Sequence, residues 1–344
     1  MNTEPKQLYD CYLIDLDGTL YWGDIPIPHA VENINALTER VIYTTNNASR
    51  SPERVAQKLV GMGFNANAEA VLTSAQLGVH LLQEKVPSNA EVLVIGAQYL
   101  HHLVTNAGYQ VVTEETPNTM AVIQGHSTET GWRQLSAAAR AIRSGALYIA
   151  TNKDLSLPSE KGLNVGNGAM VGAVELSTGA TALAAGKPAP RAFEQVARKI
   201  NASYPLVIGD RLDTDIQGGV AAGYHTWCVL TGVTNVVDIC NAPAEQRPTY
   251  ISKDLTDFAA KIKSQDFTQL DHISRRDITK QLDITAGTNG EVTVHFKTEA
   301  LSVDDEICLF VAWAWQNGVH VATIKGFDNG DQNRIQQWRY CAEK

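Results

Sequence analysis

Short apolar segments with the character of β-strands alternate with helix patterns along the first 260 residues, and this alternation constrains the fold more than any other feature. Residues 11–15, 41–46 and 206–208 are strand-like runs, rich in apolar and β-branched side chains. A helix is predicted to begin at Ser51, with serine as cap and Pro52 in the first turn. Strands and helices in alternation build a parallel sheet covered on both faces. We therefore predict an α/β fold with a doubly wound parallel sheet.

The remaining patterns extend this prediction along the chain. Residues 281–285 and 291–297 are expected to form a hairpin, and Ser302 is expected to cap a helix, so that the last part of the chain forms a small α+β domain. The other predicted strands lie at 92–96, 120–125, 146–150 and 225–230, and the other predicted helices at 28–40, 98–106, 130–144, 190–200 and 214–222.

Charge and hydropathy exclude several classes of protein. The chain has 28 Lys and Arg against 37 Asp and Glu, a net charge of −9, which gives no basic face for nucleic acid or an anionic membrane. Its longest apolar run, 307–315, is far shorter than the ~20 residues of a membrane-spanning helix. The N-terminus does not have the pattern of a secretory signal, and the five cysteines are scattered without a C-x-x-C pair. These features favour a cytoplasmic protein.

Four polar segments each follow the end of a predicted strand. They are Asp15-Leu16-Asp17-Gly18-Thr19-Leu20, Thr45-Asn46, Gly186-Lys187-Pro188 and 209–216, which reads GDRLDTDI. The carboxyl ends of parallel strands form the usual binding crevice, so these segments are expected to meet there. Each motif alone is common in turns and caps. Two spaced acids, a threonine, a lysine and a further acidic cluster in this order indicate a catalytic site.

On these four motifs, the chain resembles the haloacid dehalogenase-like (HAD) phosphohydrolases, in particular the NagD-like HAD-IIA subgroup. The resemblance extends over roughly residues 8–262 and implies a HAD-like Rossmannoid core made of residues 1–78 and 182–264. It also implies that residues 79–181 form an inserted α/β cap domain of the C2 type. The stretches 150–154 and 166–168 look like parts of that subgroup's cap.

The chemistry of phosphate ester hydrolysis explains the first motif. A carboxylate oxygen is a suitable nucleophile for phosphorus, and Asp15 is expected to form an aspartyl phosphate. Asp17 is expected to protonate the leaving alkoxide and later to deprotonate the water that releases phosphate. Gly18 allows the backbone amides to approach the phosphoryl oxygens.

Charge repulsion indicates a metal ion. Asp15, Asp17, Asp210 and Asp215 would all face a phosphate dianion, and each pair of like charges at ~4 Å costs about 4 kcal/mol at an effective dielectric of about 20. Mg²⁺, a hard cation that accepts carboxylates, water and phosphate, would offset this repulsion. The resemblance implies the Asp15 side chain, the Asp17 main-chain carbonyl and Asp210 as ligands, with Asp215 acting through water.

The other motifs are expected to bind the phosphoryl group. The resemblance implies that Lys187 pairs with Asp15 and with the transferring phosphoryl group, and that Thr45 donates its hydroxyl to a phosphoryl oxygen beside the Asn46 amide. Asn152 and Asp154 are candidates for polar contacts between the cap and the substrate, although they could equally cap a turn.

These expectations combine into an Mg²⁺-dependent phosphomonoesterase acting on a small phosphorylated metabolite, because a cap that closes over the site limits substrate size. The motif set with a C-terminal extension resembles bacterial glycerol-3-phosphate phosphatases, whose extension is similar to part of a GNAT acetyltransferase fold without its chemistry. Residues 268–344 are therefore expected to be non-catalytic. Glycerol 3-phosphate is favoured, while pyridoxal phosphate, phosphoglycolate and nucleoside monophosphates remain open, as does assembly into a homo-oligomer.

Two other functions use related chemistry. A receiver-like signalling module also carries a phosphorylated aspartate with threonine, lysine and further acids, but it has no acid two residues after that aspartate and no cap of about a hundred residues. Phosphoryl transfer between sugar positions, as in related mutases, is weaker because those enzymes generally have smaller caps elsewhere in the chain.

Overall fold

A computed structural model describes residues 8–159, 162–287 and 289–339. The ends of the predicted first and last domains, at residues 1 and 344, lie outside the described residues. The strands are β1 Cys11–Asp15, β2 Tyr21–Trp22, β3 Ile25–Pro26, β4 Arg40–Thr45, β5 Val71–Thr73, β6 Glu91–Ile95, β7 Gln110–Val112, β8 Thr119–Gln124, β9 Leu147–Ala150, β10 Ser156–Ser159, β11 Gly162–Val165, β12 Leu183–Ala184, β13 Pro205–Gly209, β14 His225–Val229, β15 Tyr250–Ser252, β16 Leu282–Ala286, β17 Glu291–Phe296 and β18 Thr323–Gly326.

The helices are α1 Ala30–Asn35, α2 Pro52–Gly61, α3 Ser74–Lys85, α4 Gln98–Asn106, α5 Trp132–Arg143, α6 Asn167–Thr178, α7 Arg191–Ile200, α8 Gln217–Ala221, α9 Val236–Cys240, α10 Phe258–Ser264, α11 Arg275–Gln281, α12 Val303–Asn317 and α13 Asn329–Gln337. None of these described helices is long and apolar enough to cross a membrane.

The chain divides into two compact units, the first made of residues 1–41 and 197–344 and the second of residues 42–196. In the first unit, parallel strands lie in the order β15, β14, β13, β1. Leu13 is opposite Val207 in the pairing of β1 with β13. All residues of β1 and β13 are buried, because a parallel sheet is covered on both faces.

The C-terminal part of the first unit adds a small three-stranded sheet, in which β16 pairs antiparallel with β17 and β17 pairs parallel with β18. Ser302 caps α12, as predicted, by accepting a hydrogen bond from the Asp305 amide at 3.1 Å. Helix α12 packs against α9 and β15. Its buried side chains, including Ile307 and Phe310, belong to the same apolar core as Cys228 and Ile251 from the larger sheet.

The second unit contains the parallel pair β4 and β5 and a five-stranded parallel sheet in the order β12, β9, β8, β6, β7. Helix α3 begins with a capping box in which Thr73 and Gln76 bond reciprocally. Apolar clusters lie on both faces of the five-stranded sheet, one with Val92 and Ile123 and the other with Leu93 and Val122. The alternation of these side chains between faces follows from the two-residue period of a strand.

The α/β class and its parallel sheets are confirmed, and several details of the elements are corrected. The helix predicted at 28–40 is limited to Ala30–Asn35, because the chain must turn before β4 begins at Arg40. The helix predicted at 214–222 begins earlier, with a π-helical turn over Leu212–Ile216, and continues as α8. Strand β18 and helix α13 were not predicted, since α13 reads NGDQNRIQQ and has almost no apolar period.

Candidate active site

Three predicted acidic residues meet in the first unit. Asp15 ends β1, Asp210 directly follows the neighbouring strand β13, and Asp215 lies in the π-helical turn. Each offers a carboxylate oxygen within 4.8 Å of those of the other two. The three residues are buried, with 9%, 0% and 1% of their surface exposed. Adjacent parallel strands end at the same sheet edge, so the topology accounts for this cluster.

Hydrogen bonds from neighbouring loops hold the carboxylates in place. The Thr19 hydroxyl lies 3.3 Å from Asp15 Oδ2 and 3.2 Å from Asp210 Oδ1. The Val233 amide donates to Asp210 Oδ2 at 2.7 Å. In the π-helical turn, the amides of Asp215 and Ile216 both donate to the Arg211 carbonyl, which accommodates one extra residue in the turn that contains Asp215.

The carboxylate cluster is electrostatically unfavourable without a cation. Burial, and then the nearby charges of Asp15 and Asp215, raise the pKa of Asp210 well above its ordinary range. A hard divalent cation prefers oxygen ligands, and a set of three carboxylates with closely spaced oxygens fits Mg²⁺. The donor set therefore has the composition and spacing of a divalent-cation site.

Asp17 differs from the other acids in its environment. Its side chain is exposed, and Oδ2 accepts a hydrogen bond from the Tyr21 hydroxyl at 3.3 Å. Gly18 follows with φ of +90°, a conformation that favours glycine. The Gly18 carbonyl accepts a bond from the Thr231 hydroxyl at 2.6 Å, so the turn after Asp17 is fixed. An exposed, hydrogen-bonded carboxyl group is suited to proton transfer.

The remaining motif residues are close to one another in the second unit. Thr45 ends β4, and its hydroxyl accepts a bond from the Asn47 amide at 3.1 Å. Lys187 is only 3% exposed, and its Nζ donates to the Thr44 carbonyl at 3.4 Å. The Asn46 side chain bonds to the Lys187 backbone.

The two candidate cap contacts both bond to the second motif. Asn152 Nδ2 donates to the Asn46 carbonyl at 2.7 Å, and Asp154 Oδ1 accepts from Asn46 Nδ2 at 2.9 Å. These bonds lie within the second unit. A contact of either residue with substrate remains a prediction.

Sequence reasoning missed residues that support the motifs without belonging to them. Thr19 lies inside the first motif, so its position could have been noticed. The Val233 backbone amide donates to Asp210, and the Ser74 hydroxyl donates to the Asn46 carbonyl at 2.6 Å. The sequence has no signal for either contact. A second group of possible metal ligands, His295, Asp328 and Asp331, was also missed. There, Asp331 joins β17 to α13 by accepting bonds from the Phe296 amide and the His295 ring.

Comparisons with known proteins agree with each other. The family model described as haloacid dehalogenase-like hydrolase matches residues 12–110, and a HAD-hydrolase-like model matches residues 184–258. A D-glycerol 3-phosphate phosphatase of Mycobacterium tuberculosis is 45% identical over 72% of this chain and 70% of its own length. An acid sugar phosphatase of Staphylococcus aureus is 36% identical over 74% of this chain and 98% of its own length.

A solved structure matches over almost the whole chain. It is that of a glycerol phosphate phosphatase from Mycobacterium tuberculosis in complex with magnesium, with a TM-score of 0.85 and 37% identity. The match covers 96% of this chain and 97% of the other. It therefore includes the C-terminal sheet and helices as well as the motif-bearing regions.

Proposed function

Since this chain belongs to the haloacid dehalogenase-like hydrolases, we propose that it is an Mg²⁺-dependent phosphatase that hydrolyses a small phosphorylated metabolite through an aspartyl phosphate. The observation that carries this proposal is the buried cluster of Asp15, Asp210 and Asp215. Mg²⁺ bound by these carboxylates would neutralise them and the phosphate that approaches them. The Asp17 main-chain carbonyl is the further ligand that the family resemblance implies, with Asp215 acting through water.

The two chemical steps use two aspartates of the first motif. The Asp15 carboxylate attacks phosphorus, a new oxygen–phosphorus bond forms, and the bond to the leaving alkoxide breaks. Asp17 gives its proton to that alkoxide, then takes a proton from the water that attacks the aspartyl phosphate. Inorganic phosphate leaves, and the Asp15 carboxylate is regenerated. The exposed position of Asp17 supports its role in proton transfer.

The residues of the second unit are proposed to bind the phosphoryl group. Lys187 supplies a positive charge, the Thr45 hydroxyl donates to a phosphoryl oxygen, and the Asn46 amide contributes a backbone donor. The Gly18 amide donates to the Tyr21 carbonyl at 2.9 Å, so Gly18 is proposed to act through its lack of a side chain, which leaves room for the phosphoryl group. The burial of Lys187 and the two hydrogen bonds that fix its backbone support this role, because a positive charge held in one place interacts more strongly with a phosphate away from bulk water.

We favour glycerol 3-phosphate as the substrate. Support comes from the relatives named as glycerol phosphate phosphatases and from the likeness to one of them along 96% of this chain. Pyridoxal phosphate, phosphoglycolate, nucleoside monophosphates and, from the second relative, sugar phosphates are the alternatives to include in a substrate panel. The exposed Asp17 and the family membership favour hydrolysis over a receiver-like module.

The predicted domain division remains a proposal. Residues 1–78 and 182–264 would form the catalytic core, 79–181 the cap and 268–344 a non-catalytic extension. Four strands of the five-stranded sheet, between Glu91 and Ala150, support the cap assignment, whereas its edge strand β12 at Leu183–Ala184 lies just beyond residue 181. A cytoplasmic location is also proposed, supported by four described cysteines that are free and buried, as expected for a reducing compartment.

The test compares wild type with Asp15→Asn in a release assay for inorganic phosphate, across a panel of phosphorylated metabolites ranked by kcat/KM. We expect turnover by the wild type that EDTA abolishes and Mg²⁺ restores, and no turnover by Asp15→Asn. Full activity in chelator would contradict the metal site. Stoichiometric labelling of Asp15 without turnover would instead favour the signalling module.

A further inference from the structure

We propose that Asp154 is a positioning residue which, through the side-chain amide of Asn46, fixes the backbone of Lys187. This inference rests on the proposed function, in which Lys187 binds the phosphoryl group. It gives Asp154 a role different from the substrate contact expected from the sequence. All three residues lie in the second compact unit.

The Asn46 side chain holds Lys187 at two points. Its Nδ2 donates to the Lys187 carbonyl at 3.2 Å, and its Oδ1 accepts from the Lys187 amide at 3.0 Å. One planar amide therefore satisfies both backbone polar groups of the same residue. Two bonds in different directions fix the orientation of a backbone segment as well as its distance, which a single bond does not do.

Asp154 determines which way the Asn46 amide faces. Asp154 Oδ1 accepts from Asn46 Nδ2 at 2.9 Å, so the two N–H groups of that nitrogen serve Asp154 and the Lys187 carbonyl. A carboxylate only accepts hydrogen bonds. If the Asn46 amide were rotated by half a turn, its oxygen would face the carboxylate and its N–H groups would face the Lys187 amide. Both contacts would be repulsive, so the acceptor oxygen of Asp154, together with the Lys187 backbone, favours the arrangement that holds Lys187.

The main chain of Asn46 is anchored by two further hydrogen bonds. Its carbonyl accepts bonds from Ser74 Oγ at 2.6 Å and from Asn152 Nδ2 at 2.7 Å. Asn167 Nδ2 in turn donates to the Asn152 carbonyl at 2.8 Å. The loop after β9 therefore contacts Asn46 twice, with Asn152 on the backbone and Asp154 on the side chain.

The two hydrogen bonds between the Asn46 side chain and the Lys187 backbone form a clamp, and the space beside it at Gly186 is too small for a side chain. A Cβ atom at Gly186 would lie 2.6 Å from Asn46 Oδ1 and 2.7 Å from the Thr151 carbonyl. The backbone leading into Lys187 thus lies directly against the Asn46 amide. A change in that amide will move Lys187, whose side chain is almost completely buried. Since a displacement of about 1 Å can slow an enzyme about 10²-fold, the clamp is expected to affect kcat.

The experiment compares Asp154→Ala, Asp154→Asn and Asn46→Ala with Glu114→Ala, which changes an exposed carboxylate of the same unit. We expect Asp154→Ala to lower kcat about tenfold with KM within twofold of the wild type, and Asp154→Asn to regain most of that loss, because its amide oxygen also accepts from Asn46. Asn46→Ala combined with Asp154→Ala should be no slower than Asn46→Ala alone. A direct substrate contact would instead raise KM in both Asp154 variants.

A second measurement reports on Lys187 without requiring turnover. The rate at which an amine-reactive reagent modifies Lys187 is followed by mass spectrometry, with Lys85 as the internal standard. We expect modification to be slow in the wild type and in Glu114→Ala, and about tenfold faster in Asp154→Ala. An unchanged Lys187 rate in folded Asp154→Ala would overturn the inference. A wild type that turns over no substrate would overturn the proposed function, while the labelling rates would still decide whether Asp154 positions Lys187.

Discussion

Asp210 has no exposed surface, and two other carboxylates lie beside it. These surroundings raise its pKa, so between the ordinary pKa of an aspartate and this raised value the folded chain binds more protons than the unfolded chain. In the absence of a divalent cation, the stability contributed by this group is therefore lost as the pH rises through that interval. The buried Asp210 carboxylate therefore destabilises the cation-free protein, and a divalent cation bound by the three carboxylates would offset this effect.

The first prediction concerns Asp210→Asn. Removing the charge should raise the melting temperature of the cation-free protein at neutral pH by a few degrees, because it removes repulsion between the carboxylates. A gain of about 1 kcal/mol in the free energy of unfolding corresponds to roughly 2–4 °C in a chain of 150–250 residues, and to less in a longer chain. The same change should abolish the further rise that Mg²⁺ produces in the wild type. Thermal unfolding in EDTA and in Mg²⁺ provides the measurement. A lower melting temperature for the variant in EDTA would show that repulsion does not dominate at this residue.

The second prediction concerns Asp17, the exposed acid of the first motif. Asp17→Asn should slow turnover by about 10² or more, because an amide can neither protonate the leaving group nor accept a proton from water. Stabilisation by Mg²⁺ should persist, since the implied ligand at this position is the main-chain carbonyl. Steady-state kinetics and melting curves on the same variant separate the two effects. Unchanged kcat would refute the acid–base role.

Residue types and order were sufficient to predict the acids that meet in the first unit. Asp15 ends β1, Asp210 and Asp215 follow the adjacent strand β13, and the convergence of parallel strand ends is a general property of such sheets. The orientation of Asn46 could not be predicted in this way. It depends on hydrogen bonds to Asp154 and Lys187, more than 100 residues away in each case, and no local pattern specifies an amide orientation.

Among the elements, the loop after β14 most closely constrains the acid cluster. A Cβ atom at Gly232 would lie 1.9 Å from Asp210 Oδ2 and 2.4 Å from its Cγ, so no larger residue fits while Asp210 keeps its position. The next amide, that of Val233, donates to the same oxygen. The loop therefore restricts the position of the Asp210 carboxylate in two ways, by close packing at Gly232 and by the hydrogen bond from the Val233 amide.

The third prediction is that Gly232→Ala displaces the Asp210 carboxylate. We expect Mg²⁺ affinity to fall about tenfold, with a loss of stability of about 1–3 kcal/mol from overpacking. Isothermal titration with Mg²⁺ measures the affinity. Gly172→Ala is the matched control, because a Cβ atom there meets nothing within 4 Å and its position inside α6 favours alanine. Equal Mg²⁺ affinities for the two variants would contradict the steric argument.

Periodicity predicted the elements well where apolar spacing was regular and failed where tertiary contacts determine them. The strand and helix predicted at 92–96 and 98–106 are found at Glu91–Ile95 and Gln98–Asn106. The π-helical turn at Leu212–Ile216 depends on two amides sharing one carbonyl, and the sequence has no signal for it. Helix α13 is polar in sequence, yet Ile335 is buried and Arg334 bonds to the buried Glu306 of α12.

For the first unit as a whole, the C-terminal region and the parallel sheet share one core. Phe310 of α12 is completely buried in the cluster that contains Cys228 of β14 and Ile251 of β15. A hydrogen bond also joins α12 to helix α9, since Trp315 Nε1 donates to the Ile239 carbonyl at 2.9 Å. The extension is non-catalytic in our proposal, but its apolar side chains stabilise the sheet that carries the catalytic acids.

The fourth prediction is that Phe310→Ala destabilises more than the C-terminal region. Replacement of a buried phenylalanine by alanine costs about 3–5 kcal/mol. Hydrogen exchange followed by mass spectrometry should become faster in β14 and β15 as well as in α12. Phe327→Ala, at a side chain that is 71% exposed, should change exchange little. Faster exchange confined to residues 268–339 would indicate an independent C-terminal domain.

The discontinuity of the first unit also affects synthesis on the ribosome. Strand β1 emerges early but pairs with β13, which begins at Pro205. At 5–20 residues per second, that partner follows after roughly 10–40 s. The contiguous residues 42–196 are complete before then and are free to fold first, whereas the pairing of the buried strand β1 with β13 waits. Nascent chains stalled before residue 205 should therefore leave the edge of β1 that pairs with β13 open to chaperones, and chaperone release should depend on the synthesis of β13.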